Sequence, residues 1–376
     1  MNQIKEITVF TIGDSNEIKT WSNVPYFFTK TLIEKNIKVN RVNLEENKLI
    51  SKVYKYTYYV FLKLFNKNSN HTYFRSKLNY YLTKRKIKSA ITNFPSSQYL
   101  LFLSFSFSIP KINGKKTILF GDWTYLYFIS NFLKRKPLWF EQYALNKEKD
   151  NIETSDMVLS LFPKSHEFNL KQYNNRNQYY LGNVINCNYE LNRSNLIAEK
   201  IKSNKLLFIG NKKYLQGAID LINAFKQLSI KAELHIIGLI DAEVGINAPG
   251  LYYHGYLDKG KTSENELYYK LITEARVIIN TNPNWGAFSA MTEAMYFLTP
   301  VITSPYQEFV ITYGDEIDFG FYVEPKNIKD LILKIEMILS NSSEQQNEMM
   351  NNAHEKVKDF TWSSYTNQFL RLIENS

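Results

Sequence analysis

The chain has 376 residues, of which 44% are hydrophobic and 22% are charged, so it is a folded globular protein long enough for two domains. Its formal net charge of +10 is uneven, because residues 1–200 hold 30 basic and 15 acidic side chains, whereas residues 201–376 hold 16 and 21. The single cysteine, Cys187, excludes an internal disulfide framework and a cysteine-built zinc site, and the five scattered histidines argue against a histidine-built metal site.

The first half opens with an apolar run at residues 7–12, which predicts a strand and is too short for a secretory signal. A helix is predicted over 27–34, and further strands are predicted at 39–42, 99–105, 117–120 and 157–161. No apolar stretch reaches 18 residues, so we expect no membrane-spanning helix and a cytoplasmic protein.

The second half repeats the pattern of apolar run, turn and helix more regularly. Strands are predicted at 206–210, 234–238, 277–280, 300–303 and 319–323, and helices over 218–228 and 328–339. Apolar strands without polar alternation, interleaved with helices, are typical of a parallel sheet covered on both faces. The sequence therefore predicts an α/β protein of two tandem Rossmann-like domains, with a hinge near 185–203 and an interdomain cleft at the carboxyl ends of the strands.

The run from Asn282 to Met295 carries the clearest functional signal. A predicted strand ends there, a Gly-containing loop follows, and a helix is predicted to begin near Phe288. Free N–H groups at a helix start, together with the helix dipole, form an anion site. Glu293 lies one to two turns into this helix, where its carboxylate could accept hydrogen bonds from sugar hydroxyls. The alternative is that Glu293 is a solvated helix residue.

The second half resembles the donor-binding domain of glycosyltransferase family 4, whose members are retaining enzymes of the GT-B fold. The resemblance rests first on Glu293-Ala294-Met295 followed by Pro300-Val301-Ile302, and it continues in the same order through most of the second half. Further matches are Phe208-Ile209-Gly210, Gly217, Ile236-Ile237-Gly238, His254-Gly255-Tyr256, the predicted helix over 267–275, Glu308 and Phe360-Thr361-Trp362.

The resemblance implies that a nucleotide-diphosphate sugar binds to the second half as co-substrate, with no further cofactor. The implied donor-binding residues, with Glu293 on the ribose, are Gly210, Asn211, Gln216, Tyr256, Trp285, Gly286, Phe288, Ser289 and Glu293.

The chain departs from the family at three of these positions. Asn211 and Gln216 replace an Arg and a Lys that clamp the donor diphosphate, and Trp285 replaces a glutamate that touches the transferred sugar. Catalysis in the family depends on stabilising negative charge on the leaving diphosphate. We therefore expect Lys212 or Lys213 to serve as the catalytic cation; without such a replacement, catalysis is lost.

The first half contains three weaker signals. Gly13 follows the first predicted strand, where the family has a Gly-rich loop that faces the donor phosphates; the alternative is a plain turn. Trp21-Ser22-Asn23 resembles the loop that lines the acceptor side in relatives. Asp122 closes a predicted strand, and the resemblance implies that it orients the acceptor hydroxyl or accepts its proton. The alternative is a turn residue that caps the next helix.

Residues 51–88 form a segment with ten Lys or Arg, ten aromatic residues and no Asp or Glu. A predicted helix places Tyr54, Tyr58, Tyr59, Phe61, Leu62 and Phe65 on one side, with Lys52, Lys55, Lys63 and Lys67 elsewhere. Such a surface is expected to lie on an anionic membrane. The alternatives are a buried aromatic face with a solvated basic rim, and single-stranded nucleic acid. No recognised nucleic-acid module surrounds the segment, so we expect no nucleic-acid partner.

The resemblance implies a retaining glycosyltransferase that acts on a glycan or lipid-linked acceptor in cell-surface polysaccharide synthesis. The basic aromatic segment 51–88 leads us to expect a peripheral position on the inner membrane face. The chain contains no Asp-x-Asp motif, which favours a metal-independent mechanism. Residues 1–187 are the expected acceptor domain, residues 188–356 the donor domain, and residues 357–376 a helix that crosses back to the first domain. The alternatives are a non-catalytic GT-B partner or scaffold subunit and a sugar-nucleotide epimerase.

Overall fold

The computed structural model describes residues 4–64, 72–110, 112–187, 189, 191, 196–281 and 288–375, without the side chains of residues 59, 62 and 63. The chain divides into two compact units, Met1–Asn183 with Trp362–Ser376, and Val184–Thr361. Each unit contains one six-stranded sheet whose neighbouring strands are parallel. The predicted α/β class with two Rossmann-like domains is therefore confirmed.

The first unit alternates strands and helices from its first strand onward. Its elements are β1 (Glu6–Thr11), α1 (Val24–Glu34), β2 (Lys38–Asn43), α2 (Lys48–Leu64), α3 (Lys77–Asn93), β3 (Tyr99–Phe102), β4 (Lys116–Gly121), α4 (Tyr125–Tyr127), α5 (Gln142–Thr154), β5 (Met157–Ser160), α6 (Pro163–Gln172) and β6 (Gln178–Tyr180). The strand order is β2-β1-β3-β4-β5-β6. The direction of winding reverses between β1 and β3, which is the switch point where doubly wound sheets bind ligands.

The second unit has the same alternation. Its elements are α7 (Leu196–Lys202), β7 (Lys205–Ile209), α8 (Leu215–Phe225), β8 (Glu233–Ile237), α9 (Asp241–Val244), β9 (Leu251–Gly255), α10 (Thr262–Glu274), β10 (Val277–Asn280), α11 (Ser289–Tyr296), β11 (Val301–Thr303), α12 (Gln307–Tyr313), β12 (Gly320–Tyr322), α13 (Ile328–Ser340) and α14 (Ser343–Val357). The strand order is β12-β11-β10-β7-β8-β9, so the switch point lies between β7 and β10.

The central strands are buried on both faces, which explains their apolar sequences. Leu206 and Phe208 of β7 face one hydrophobic cluster, and Leu207 of the same strand faces another. The edge strands β6 and β9 were not predicted, because their sequences Gln-Tyr-Tyr and Leu-Tyr-Tyr-His-Gly lack such a run.

The last helix, α15 (Trp362–Glu374), belongs to the first unit. Its aromatic side chains surround Phe28 of α1, whose ring centroid lies 5.2 Å from that of Trp362 and 5.1 Å from that of Phe369. No helix in the described part of the chain is long and apolar enough to cross a membrane.

Candidate functional site

The carboxyl edge of the second sheet brings together the loops that follow β7, β8 and β10. Gly238 follows β8 with a φ of +95°, and a Cβ atom added to it would lie 2.5 Å from the carbonyl oxygen of Gly210. The N–H of Gly210 donates to the carbonyl of Ile237 at 3.0 Å, so these two loops touch through backbone atoms. Only glycine allows this approach, which fixes the turn after β7 beside the switch point.

The turn after β7 and the first residues of α8 hold four of the predicted phosphate-site residues. Asn211 begins a 3-10 turn, and its side-chain oxygen accepts a hydrogen bond from the N–H of Lys213 at 3.0 Å. Lys212 Nζ lies 3.0 Å from Glu243 Oε1, although the lysine side chain is 74% exposed. Lys213 is exposed, and Gln216 donates to Asp220 at 2.8 Å. The two lysines are thus at the edge of the sheet, whereas Gln216 bonds along its own helix.

The loop between β10 and α11 contains two predicted donor residues, Trp285 and Gly286, which lie outside the described residues. Ser289 is exposed at the first position of α11. Phe288 does not fit a donor-binding side chain, because it is 2% exposed and packs edge-on against Phe309, at 5.5 Å between ring centroids. Its apolar side chain fills the core beneath the helix start. Tyr256, after β9, is exposed.

Glu293 of α11 is held by three side chains. Lys259 Nζ lies 2.6 Å from Oε1 and 2.8 Å from Oε2. The hydroxyl of Tyr268 donates to Oε2 and that of Tyr269 donates to Oε1, each at 2.9 Å. Glu293 is 4% exposed, so the alternative of a solvated helix residue is wrong.

These contacts saturate the Glu293 carboxylate. An ionised carboxylate offers about four lone-pair sites, and the two contacts from Lys259 and one from each tyrosine match that number. Burial, together with the Glu293 charge, raises the pKa of Tyr268 and of Tyr269, which keeps both hydroxyls as donors. A ribose hydroxyl must therefore displace one of these donors before it can bind Glu293.

Lys259 is saturated as well. Its third hydrogen bond goes to the carbonyl oxygen of Asn186 at 3.1 Å, and its ammonium lies 4.3 Å from the ring centroid of Tyr268. An ammonium has three donors, and the two Glu293 oxygens take the other two. The residues around Glu293 were missed by sequence analysis, since they are 24 to 34 positions away along the chain.

The first unit contains a cavity of about 1020 Å³ at the switch point of its sheet, here named the first-unit pocket. It is lined by Thr11 and Ile12 at the end of β1, by the segment after β3, and by Asp122 after β4. Helix α2 and the 3-10 turn Tyr73–Arg75 complete the lining. Its size is typical of small-molecule sites.

Predicted residues of the acceptor side meet at the first-unit pocket. Trp21 and Asp122 both line it, and the Trp21 ring lies edge-on to Phe120, 5.9 Å away. Trp21, Ser22 and Asn23 have φ values of 35°, 54° and 72°, a strained run that is typical of functional loops. Neither Ser22 nor Asn23 lines the pocket in this structure.

Asp122 is not the cap of the following helix. Its Oδ1 accepts the N–H of Trp123 at 2.8 Å, and the hydroxyl of Thr124 caps α4 by accepting the N–H of Tyr127. The predicted alternative of a capping residue is therefore wrong. Gly13 lies in the loop after β1 with a φ of +91°, where its N–H donates to the side chain of Asn43 at 3.0 Å.

The aromatic side of α2 faces the protein, which corrects the predicted orientation of residues 51–88. Tyr54 and Tyr58 line the first-unit pocket, and Phe61 lies edge-on to Phe140 at 6.2 Å. The predicted alternative of a buried aromatic face therefore describes this side of the helix. The side chains of Tyr59, Leu62 and Lys63 and the whole of Phe65 and Lys67 lie outside the described residues.

We predict that Glu293→Gln lowers the free energy of unfolding by about 3–5 kcal/mol, because it leaves the buried ammonium of Lys259 without a counter-charge. The double variant Glu293→Gln with Lys259→Met removes both charges and is expected to recover part of that loss. Urea unfolding of the two variants and the unchanged chain measures both values. A single variant within about 1 kcal/mol of the unchanged chain would contradict the prediction.

We also predict that Gly238→Ala destabilises the protein more than Gly245→Ala does. Both glycines have positive φ, at +95° and +71°, so both substitutions carry the same kind of backbone strain. Only at Gly238 does the added methyl meet another backbone, whereas nothing lies within 4 Å at Gly245. Thermal unfolding of the two variants tests this, and equal losses would show that the close approach to Gly210 is unimportant.

Comparison with known proteins places these sites in a recognised fold. Residues 193–356 match the family model described as glycosyl transferases group 1. No curated protein matches the sequence significantly.

Solved structures resemble the whole chain. A sucrose-phosphate synthase from Thermosynechococcus elongatus is 14% identical with a TM-score of 0.69, and the match covers 99% of this chain and 98% of that one. WaaG, a glycosyltransferase involved in lipopolysaccharide biosynthesis, is 13% identical with a TM-score of 0.64, and the match covers 99% of this chain and 100% of that one. Anabaena HepE in complex with UDP and glucose is 12% identical with a TM-score of 0.61 over 100% of both chains. The chain therefore has the two-domain GT-B fold, and its second unit carries the match to the group 1 glycosyl transferases.

Proposed function

We propose that this protein is a retaining glycosyltransferase of the family 4 type, which moves a sugar from a nucleotide diphosphate to an acceptor hydroxyl. The match of residues 193–356 to the group 1 glycosyl transferases carries the proposal. The complex of the similarly folded HepE with UDP and glucose supports a UDP-sugar donor. The sequence has no Asp-x-Asp motif, so we propose transfer without a metal ion or other cofactor.

The donor diphosphate is assigned to the turn after β7 and the start of α11. N–H groups at the start of α11 and of the Lys212–Tyr214 turn suit phosphate oxygens. Among the described residues Lys212 contacts one carboxylate, that of Glu243, and its 74% exposed side chain has room to turn toward a diphosphate. Lys212 or Lys213 would stabilise the negative charge that develops as the diphosphate leaves.

The acceptor is assigned to the first-unit pocket. Its aromatic and polar lining suits a sugar, whose faces are apolar and whose edge carries hydroxyls. Asp122 would orient the attacking hydroxyl or accept its proton. In retaining transfer the new bond forms on the face from which the diphosphate departs, so the protein's task is to orient the acceptor and stabilise the leaving group.

In this proposal Glu293 has a structural role, whereas the resemblance implies that it binds the donor ribose. With its lone pairs occupied by Lys259, Tyr268 and Tyr269, it fixes α11 against α10 and so positions the N-terminal end of α11. Ribose recognition then falls to other groups at this edge, among them the exposed Tyr256 and Ser289.

The outer face of α2 supports a peripheral position on the inner membrane face. Leu49, Val53, Tyr56, Val60 and Leu64 follow one another at intervals of three or four residues and are 43–77% exposed. Lys48, Lys52 and Lys55 are exposed on the same helix, and no acidic residue occurs between Glu46 and Asp122. An apolar stripe with a basic rim suits an anionic bilayer. We therefore propose a lipid-linked acceptor, as in cell-surface polysaccharide synthesis.

A non-catalytic GT-B subunit is the second candidate, and two observations favour it. Asn211 and Gln216 are engaged in hydrogen bonds with Lys213 and Asp220, and neither carries the charge of a diphosphate clamp. The Glu293 carboxylate is already saturated. Nucleotide binding separates the two candidates.

We predict that the chain binds UDP or GDP, measured by isothermal titration calorimetry with each nucleotide and its sugar conjugates. Replacing both Lys212 and Lys213 by Ala is expected to weaken binding about 10- to 100-fold, because charge-assisted hydrogen bonds to phosphate are lost. Lys226→Ala removes an exposed lysine just after α8 and serves as the control. The absence of any nucleotide binding by the unchanged chain would favour the non-catalytic subunit.

We predict that the double variant Val53→Ser with Tyr56→Ser loses most of its binding to vesicles containing phosphatidylserine, measured by flotation. Both side chains lie on the exposed stripe of α2, and each buried methylene contributes about 0.8 kcal/mol to membrane affinity. The matched control is Leu333→Ser with Met337→Ser, which removes an exposed apolar pair from α13. Equal flotation of the two double variants would exclude α2 as the membrane surface.

A further inference from the structure

Arg75 is a partly buried cation on the wall of the first-unit pocket. It forms no ion pair with any residue that the structure describes, and its buried Nε has no hydrogen-bond partner there either. The nearby Arg135 is different, because its two terminal nitrogens bond to the two carboxylate oxygens of Glu141 at 2.7 and 2.8 Å. A partly buried guanidinium without a counter-ion is costly unless a ligand supplies one.

The guanidinium of Arg75 is held on a fixed aromatic platform. Its central carbon lies 4.1 Å from the ring centroid of Tyr125, a cation–π distance. The Tyr125 hydroxyl donates to Glu141 at 3.0 Å and its N–H donates to Glu148 at 2.6 Å, so the ring cannot shift. The planar fork of Arg75 is therefore oriented in advance of any ligand.

Glu148 is a buried acid whose ionisation is influenced by the charge of Arg75. Burial raises the pKa of the Glu148 carboxyl above its ordinary value, and the charge of Arg75 acts in the opposite direction. Its oxygens are occupied, one by the hydroxyl of Ser106 at 2.6 Å and the other by the N–H of Tyr125. Glu148 thus supports the platform without giving Arg75 a hydrogen-bonded partner.

The buried hydroxyl of Tyr73 is a second, independent sign that this pocket binds a ligand. This side chain is 2% exposed and lines the pocket, and its hydroxyl has no hydrogen-bond partner among the described residues. A buried hydroxyl without a partner costs stability that an incoming acceptor atom would restore. Two unsatisfied donors, Tyr73 and Arg75, therefore stand two residues apart on one turn.

We propose that the first-unit pocket recognises an acceptor that carries an oxyanion, a carboxylate or a phosphate, held by Arg75 and Tyr73. This rests on the proposed function for the assignment of the pocket to the acceptor. Lys55 of α2 also lines the pocket and adds a second cation, whereas Glu46 and Asp122 supply acceptors for hydroxyl groups. The lining therefore matches an acidic sugar, in which one anionic group is joined to several hydroxyls.

The test compares binding of glucuronic acid, glucose 6-phosphate and neutral glucose to the full chain by saturation-transfer NMR. One or both anionic sugars are expected to bind more tightly than glucose, and the one that does identifies the carboxylate or the phosphate. Arg75→Gln is expected to remove this preference through a loss of about 10- to 100-fold, since a bidentate charge-assisted contact disappears. Arg85→Gln, on an exposed part of α3 outside the pocket, should keep the preference.

Arg75→Lys is the control for a folding defect in Arg75→Gln. Its ammonium keeps the positive charge above Tyr125 but cannot form the two parallel hydrogen bonds of a guanidinium. The Arg75→Lys variant should prefer the anionic sugars over glucose less strongly than the unchanged chain does and more strongly than Arg75→Gln does. Equal binding of all three sugars by the unchanged chain, or an anion preference that survives in both Arg75 variants, would overturn the proposal. UDP binding by the same variants reports separately on the second unit, so a failure of the donor assignment is distinguishable from a failure of this one.

Discussion

The parallel direction of all paired strands is the constraint on which both candidate sites depend. In a parallel sheet every strand ends at the same edge, and the chain must leave that edge through a loop before it enters the next helix. In the second unit this brings Gly210, Gly238 and the start of α11 to one edge, although the residues are far apart in sequence. In the first unit it brings Ile12 and Asp122 to one pocket. The positions of functional residues thus follow from strand order, and their chemistry is set by the few side chains in these loops.

The buried pair of Lys259 and Glu293 is the reason for proposing that this motif has a structural role here. The carboxylate stands at the expected place on α11, yet the described residues already fill its hydrogen-bonding capacity. Exchanging one of these donors for a ribose hydroxyl gains little, because one hydrogen bond replaces another. Breaking the contact with Lys259 would be costly, since it leaves a charge in a side chain that is 10% exposed. The energetically simplest role for Glu293 is therefore to hold α10 and α11 together, and this leaves donor recognition to the loops around it.

The sequence was sufficient to predict the fold and the edges where the sites lie, because apolar runs and glycine turns are local signals. The sequence assigned Asp122 and Trp21 to the acceptor site and Lys212 and Lys213 to the diphosphate site. The structure puts the first pair at the edge of the first sheet and the second pair at the edge of the second sheet. The sequence could not predict the partners of Glu293, since a contact between residues 34 positions apart leaves no local pattern. The burial of the Phe288 side chain was missed for a related reason: a helix start attracts anions through its backbone, and the sequence does not show that the side chain turns into the core.

Helix α2 shows most clearly why composition alone was not enough. The composition predicted one amphipathic surface facing a membrane, but the structure turns two sides of the helix to different surroundings. Tyr54 and Tyr58 face the first-unit pocket, whereas Val53 and Tyr56, only one or two positions away, are exposed on the outer side. A helix turns by about 100° per residue, so neighbouring residues necessarily point in different directions. One helix can therefore line the first-unit pocket on one side and carry an exposed apolar stripe on another. On the proposed function, an acceptor anchored in lipid would reach the pocket past α2, the helix proposed to lie on the membrane.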